Sequence, residues 1–276
     1  MPEKTLLFLI SSRLTGNGNP EKQVYMPSQF GLIGYPIHAS RSPEWFTQAF
    51  CWAGWSGCSY DLFPLDTIDK LPALIRQRPL LRGFNVTIPY KERVIPYLDR
   101  LDSHAEAIGA VNVVLIRDEN GKRFLHGFNT DAGGFSRSAD FTPYERALVL
   151  GTGGAAKAIA YALKRLGKKV TLVSRQKGVS GGITYEDIDQ VLILDHLLII
   201  NATPIGMAPA TKSAPALPYQ FLTPRHFLYD TVYFPNETLF LKKGKINGTR
   251  TLSGLRMLRE QAGLSFTLFS QALDPE

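Results

Sequence analysis

The stretch Ala147-Leu-Val-Leu-Gly151-Thr-Gly153-Gly154-Ala-Ala-Lys-Ala158 leaves this chain few folds to choose from. Four apolar residues make a short buried strand, the glycines permit a tight turn, and the alanine-rich run that follows reads as a helix over 155–166. Gly167 closes that helix, and a second apolar strand follows at 169–173. Strand, glycine turn, helix and strand in this order build a parallel α/β sheet. The turn also has a chemistry. Glycines let a ligand approach the backbone, and the helix N-terminus offers N–H groups and the positive end of a dipole to a pyrophosphate. Gly151, Thr152, Gly153, Gly154 and Ala155 are therefore the candidate dinucleotide contacts.

The second strand ends Thr171-Leu-Val-Ser174-Arg175-Gln-Lys177. An NAD site ordinarily carries an acid here, accepting from the ribose 2′-hydroxyl; an NADP site carries a cation for the 2′-phosphate. No acid stands at this tip. Ser174, Arg175 and Lys177 therefore point to NADP.

Composition narrows the remaining classes. The chain has 276 residues, enough for two domains, with 44% hydrophobic and 20% charged residues, an ordinary globular balance. No apolar run approaches the roughly 20 residues that cross a bilayer, so no membrane association is expected. Leu6–Ile10 is too short for the core of a secretory signal and reads as a short strand or exposed extension. Cys51 and Cys58 match no zinc or redox spacing, which fits a reducing cytoplasm. The net charge of +7 comes from scattered basic residues; the densest cluster, Lys242-Lys-Gly-Lys245, is too short for a nucleic-acid footprint. Small anions are the expected partners.

Residues 1–29 include a polar Gly/Pro/Asn/Ser-rich lead-in and are expected to form a flexible extension. A strand at Phe30–Gly34, a helix from Pro43 to about Trp52, a strand near 59–63, a helix near 68–76 and a strand at 82–87 follow. Residues 112–116 and 122–126 bracket Asp118-Glu-Asn-Gly121 as a hairpin, and 131–139 reads as a helix. Further strands are expected near 197–200 and 227–230.

Between these elements lies the stretch Gly83-Phe-Asn-Val-Thr-Ile-Pro-Tyr-Lys91, which begins as a buried strand and ends in polar groups. Pro89 lacks an N–H donor and stops the pairing. Ser40, Ser42, Asn85, Thr87 and Asn112 also fall at strand ends or tight turns, where α/β sheets place ligands. Lys91 and Asp131, facing each other at a cleft, would share protons with a carbonyl or an alcohol while the lysine stabilises charge on oxygen.

Taken in order, these motifs resemble the shikimate dehydrogenase family along nearly all of residues 30–269. The resemblance rests on Gly34-Tyr-Pro-Ile-His-Ala-Ser-Arg-Ser-Pro43, Asn85-Val-Thr-Ile-Pro-Tyr-Lys91, Gly109-Ala-Val-Asn112 and Gly127-Phe-Asn-Thr-Asp131. It continues through Gly151-Thr-Gly-Gly-Ala155, Asn201-Ala-Thr-Pro-Ile-Gly-Met207, Asp230-Thr-Val-Tyr233 and Gly254-Leu-Arg-Met-Leu-Arg-Glu-Gln261. It implies an α/β enzyme of two domains with a cleft between them: a substrate domain, 30–130 plus 251–276, and a Rossmann-like NADP domain, 131–250. The implied reaction is NADPH-dependent reduction of 3-dehydroshikimate to shikimate, in aromatic amino-acid biosynthesis, by a monomer or homodimer.

By the same resemblance, Ser40 and Ser42 hold the substrate carboxylate, and Asn85, Thr87, Asn112, Tyr233 and Gln261 surround the ring. Lys91 and Asp131 match the catalytic pair, with the proton donor left open between them. Thr203, Met207, Thr231 and Gly254 fall near the nicotinamide end. The chain departs from the family pattern in places. His38 sits one position early, and the strand tip Ser174-Arg175-Gln176 lacks the usual threonine, which favours some tolerance of NAD. The usual acid of the helix after the lysine aligns with Ser103, beside Asp102. The alternatives are a quinate/shikimate dehydrogenase with relaxed cofactor use, and a catalytically silent regulator on the same fold.

Overall fold

The structure, a computed structural model, describes residues 26–119, 121–178 and 181–273. Nearly all of the expected N-terminal extension, including Leu6–Ile10, lies outside the described residues. The chain folds as two compact units. Among the described residues, the first holds those up to Glu106, Ala110–Thr130 and those from Ala262 onward; the second holds Ala107–Gly109 and those within Asp131–Gln261.

The first unit is a mixed sheet covered on both faces. Its elements are β1 (Ser28–Gly34), α1 (Ser42–Trp52), β2 (Cys58–Pro64), α2 (Leu71–Gln77), β3 (Leu81–Val86), β4 (Arg100–Leu101), α3 (Ser103–Ile108), β5 (Val113–Glu119) and β6 (Lys122–Phe128). The strand order is β2-β1-β3-β5-β6-β4. The first three strands run parallel, β5 runs antiparallel to β3, and β5–β6 is the expected hairpin. β1 begins two residues before the expected Phe30, because Ser28 N donates to Gly57 O and Gln29 N to Leu80 O at 2.7 Å. Alternation along β5 shows both faces buried: Val114 and Ile116 pack with Phe84 and Tyr90, while Val113 and Leu115 pack with Phe30, Tyr60 and Phe269.

The second unit is a wholly parallel sheet. Its elements are α4 (Asp131–Ser138), β7 (Arg146–Leu150), α5 (Gly154–Arg165), β8 (Lys169–Ser174), β9 (Ile183–Thr184), α6 (Gln190–Asp195), β10 (Leu198–Asn201), β11 (Phe227–Asp230), α7 (Leu239–Ile246), β12 (Arg250–Leu252) and the start of α8 (Leu255–Ser270), whose residues from Ala262 belong to the first unit. The order β12-β11-β10-β7-β8-β9 is that of a dinucleotide-binding sheet, with the chain reversing direction between β7 and β10. Ala156, Ile159, Ala160 and Leu163 of α5 are buried at helical spacing.

One expectation needs correction. Residues 251–261, assigned by sequence to the substrate domain, belong to the second unit. β12 pairs in register with β11 there, and the first turns of α8 press on α4. A Cβ on Gly134 would lie 2.8 Å from the Gln261 backbone nitrogen, so only glycine lets the two helices meet so closely.

Candidate active site

Strand direction in the first unit gathers its polar residues at one edge. β1 and β3 are parallel neighbours, so the loops that follow them start side by side. Gly34 makes this possible, since a Cβ there would stand 2.5 Å from Thr87 Cγ2 and 2.9 Å from Ile88 O. β5 runs the other way, so its beginning lies at the edge where β3 ends, with Asn85 opposite Val113. Ser40 and Ser42 thus come from the loop after β1, Thr87 and Lys91 from the loop after β3, and Asn112 from just before β5.

Hydrogen bonds tie these groups together. Ser40 donates to Ser42 Oγ at 3.2 Å. Asn85, buried, accepts from the Tyr60 hydroxyl at 2.8 Å and donates to Ser265 Oγ at 3.0 Å and to Asn112 O at 3.3 Å. Asn112 Nδ2 donates to Thr130 Oγ1 at 2.9 Å, and Thr130 N donates to Asn112 Oδ1 at 2.7 Å. The half-buried Lys91 accepts at its carbonyl from Val111 N at 2.7 Å, which anchors the lysine loop to the segment entering β5.

In the second unit, the ends of β7, β8, β10 and β11 lie at one edge. Gly151 has φ +112°, open to glycine and strained for other residues, and a Cβ there would meet Ala202 O at 3.2 Å. Gly153 differs: its φ of −79° and ψ of −177° suit any residue, and a Cβ would meet nothing within 4 Å. Nothing in the fold itself requires glycine at 153. The spacing Gly151-x-Gly153-x-x-Ala156 follows the dinucleotide fingerprint, with buried Ala156 at the helix–sheet contact. No side chain caps α5 and no acid stands in its first turn, so its terminal N–H groups suit an anion.

At the tip of β8, Ser174 Oγ accepts from Gln176 N at 3.1 Å, turning the chain, and Arg175 and Lys177 are exposed. Asp187, on the turn after the neighbouring β9, is engaged by Thr184: its Oδ2 accepts from Thr184 N at 2.7 Å and Oγ1 at 2.8 Å. These bonds hold that carboxyl below its ordinary range.

A buried polar cluster braces the ends of β10 and β11. Asn201 Nδ2 donates to Asp230 Oδ1 at 3.0 Å and to Ile205 O at 3.1 Å, while its Oδ1 accepts from Thr203 Oγ1 at 2.6 Å. Asp230 also accepts from Val232 N at 3.0 Å and from Thr238 Oγ1. Burial pushes the Asp230 carboxyl up to about 6, against the pull of these donors. Thr231 follows directly, and Gly254 is wedged so closely on it that a Cβ would fall 2.1 Å from Thr231 O.

Comparison with known proteins decides the family. Residues 32–114 match the model of the shikimate dehydrogenase substrate binding domain. A shikimate dehydrogenase (NADP(+)) from Moorella thermoacetica is 38% identical over 263 residues, covering 87% of this chain and 86% of that protein. This chain belongs to the shikimate dehydrogenase family. Among solved structures, shikimate 5-dehydrogenase from Thermus thermophilus, in complex with NADP(H) and shikimate, superposes with a TM-score of 0.77 at 32% identity. That match covers 90% of this chain and 95% of the other. Quinate dehydrogenase from Corynebacterium glutamicum in complex with NAD gives a TM-score of 0.76 at 29% identity, over 88% and 94% of the two chains.

Within the shikimate dehydrogenase fold, the residues singled out from sequence divide between the two units. Ser40, Ser42, Asn85, Thr87, Lys91 and Asn112 lie in the first, while Asp131, Tyr233, Gln261 and all the candidate cofactor contacts lie in the second. Asp131 is buried in the first turn of α4, on the same face as Gly134, one turn before the contact with Gln261. Tyr233 and Thr203 are half-buried, and Met207 is exposed. Sequence reading missed Tyr60, Thr130 and Ser265, which connect the polar residues of the first unit. Ser265 was within reach, four positions after Gln261 on one helix. Thr130 stands inside the motif Gly127-Phe-Asn-Thr-Asp131. Tyr60 carried no signal beyond its place in a strand.

Proposed function

We propose that this chain catalyses the reversible, NADPH-dependent reduction of 3-dehydroshikimate to shikimate, with Lys91 and Asp131 as its catalytic residues. The observation that supports the reading is the shared strand edge in the first unit, to which the chain brings Ser40, Ser42, Asn85, Thr87, Lys91 and Asn112. A polyhydroxylated ring acid needs that set: donors for a carboxylate and alternating donors and acceptors for ring hydroxyls.

Ser40 and Ser42 bind the carboxylate. Asn85, Thr87, Asn112, Tyr233 and Gln261 hold the ring and its hydroxyls. Lys91 stabilises negative charge on the C3 oxygen or passes it a proton, and Asp131 accepts from the neighbouring hydroxyl. The residues present fit NADP. The open space beside Gly153 leaves room for a pyrophosphate against the backbone, the uncapped N-terminus of α5 supplies N–H groups, and Arg175 and Lys177 meet the 2′-phosphate. Thr203, Met207, Thr231 and Gly254 face the nicotinamide end. When bound, the cofactor supplies the hydride.

The test is absorbance at the nicotinamide band with shikimate and NADP⁺. Lys91→Ala and Asp131→Asn, each folded by circular dichroism, are expected to lose about 10²–10⁴ in kcat. A folded Lys91→Ala with an undiminished rate defeats the assignment. A second reading, a quinate/shikimate dehydrogenase with relaxed cofactor use, is favoured by the β8 tip, which lacks the threonine, and by the likeness to a quinate dehydrogenase holding NAD. Equal kcat/KM on both acids, or with both cofactors, would establish it.

A further inference from the structure

Behind the expected substrate groups of the first unit, the hydrogen bonds around Asn85 run in one direction. A main-chain carbonyl only accepts, so Asn112 O forces the Nδ2 group of Asn85 toward itself, at 3.3 Å. The other Nδ2 hydrogen goes to Ser265 at 3.0 Å. Asn85 Oδ1 is thereby turned the opposite way, toward the Tyr60 hydroxyl, which donates to it at 2.8 Å. Each link sets the polarity of the next.

The phenol is well placed to make this bond. β1 lies between β2, which carries Tyr60, and β3, which carries Asn85, so the two backbones are about 9.6 Å apart. A long side chain bridges that gap; serine or threonine at position 60 would not. The ring is 4% exposed and stacks on Phe46 with centroids 4.3 Å apart and planes at 1°. Burial pushes the hydroxyl well above its ordinary titration range, so it keeps its proton and remains a donor.

We propose that Tyr60 is a positioning residue of the substrate pocket: its hydroxyl fixes the Asn85 amide with an acceptor lone pair for a ring hydroxyl. The proposal rests on the shikimate dehydrogenase reading of Asn85.

The test is Tyr60→Phe, assayed with shikimate and NADP⁺ and by calorimetric titration of shikimate without cofactor. KM and Kd for shikimate are expected to rise about tenfold, with KM for NADP⁺ and kcat within about threefold of the wild type. Val114→Ala, a buried substitution in the core against the other face of the sheet, controls for lost stability and is expected to leave both KM values within about twofold. Ser265→Ala is the second variant should Tyr60→Phe not fold; a rise of about threefold confined to shikimate is expected. The proposal falls if either folded variant keeps a wild-type KM for shikimate, if both KM values rise together, or if Val114→Ala does the same. A wild-type protein that does not oxidise shikimate defeats the underlying reading instead, before any variant is made.

Discussion

Asp230→Asn should make the protein more stable at neutral pH and no more stable at mildly acid pH. Asp230 is fully buried and takes donors from Asn201, Val232 and Thr238, yet no described salt bridge neutralises it. Burial raises its carboxyl from 3.8 to about 6. A raised acid favours the folded state while protonated, so its contribution is full below about pH 4 and is lost as pH climbs through about 6. The pKa difference of about 2, at 1.36 kcal/mol for each, gives a loss of roughly 3 kcal/mol at neutral pH. Asparagine carries no charge to desolvate. It does require Thr238 to accept rather than donate, at a cost of about 1 kcal/mol. The net gain at pH 7.5 is then about 2 kcal/mol, or roughly 4–8 °C in Tm. Thermal melts of both proteins from pH 4.5 to 8 measure it. Exposed carboxylates with lowered pKa, Asp66, Asp140 and Glu237 among them, and the lowered His126, pull stability the other way on acidification. They are common to both proteins, so the difference in Tm isolates Asp230. A difference that is flat with pH, or largest at the acid end, refutes the reasoning.

Three further perturbations probe the two units. Gly153→Ala should fold with an unchanged melting temperature, since its Cβ meets nothing, yet raise KM for NADP⁺ by about tenfold or more; an unaltered KM would remove the pyrophosphate from that turn. Gly134→Val should destabilise by about 1–3 kcal/mol in denaturant melts and lower activity, because the added carbons collide with Gln261 on the face that carries Asp131. Arg175→Glu places an acid at the β8 tip and should shift the ratio of kcat/KM for NADP⁺ over NAD⁺ toward NAD⁺ by about tenfold or more; a ratio that stays put would clear Arg175 of any part in cofactor choice.

What could be read from the sequence was whatever obeys local periodicity or the physics of a turn. The strands around Leu148 and Leu228, the helix after Gly154 and the hairpin at 113–128 each carry their own signal within a few residues. Asn85, Thr87 and Lys91 stood out because polar groups at the end of an apolar run have no packing reason to be there. The boundary near 250 could not be read that way. It depends on β12 pairing with β11 and on a glycine in α4 meeting the backbone of α8, more than a hundred residues later. Tyr60 was hidden for the same reason. Its ring satisfies the hydrophobic pattern of β2, and only the register of three strands reveals that its hydroxyl reaches Asn85 across β1. A side chain whose apolar body suits the core while its polar tip serves the site leaves no trace in a hydropathy pattern. Residues of this kind, rather than the ligand contacts themselves, are where two sequences with the same motifs can differ in substrate affinity.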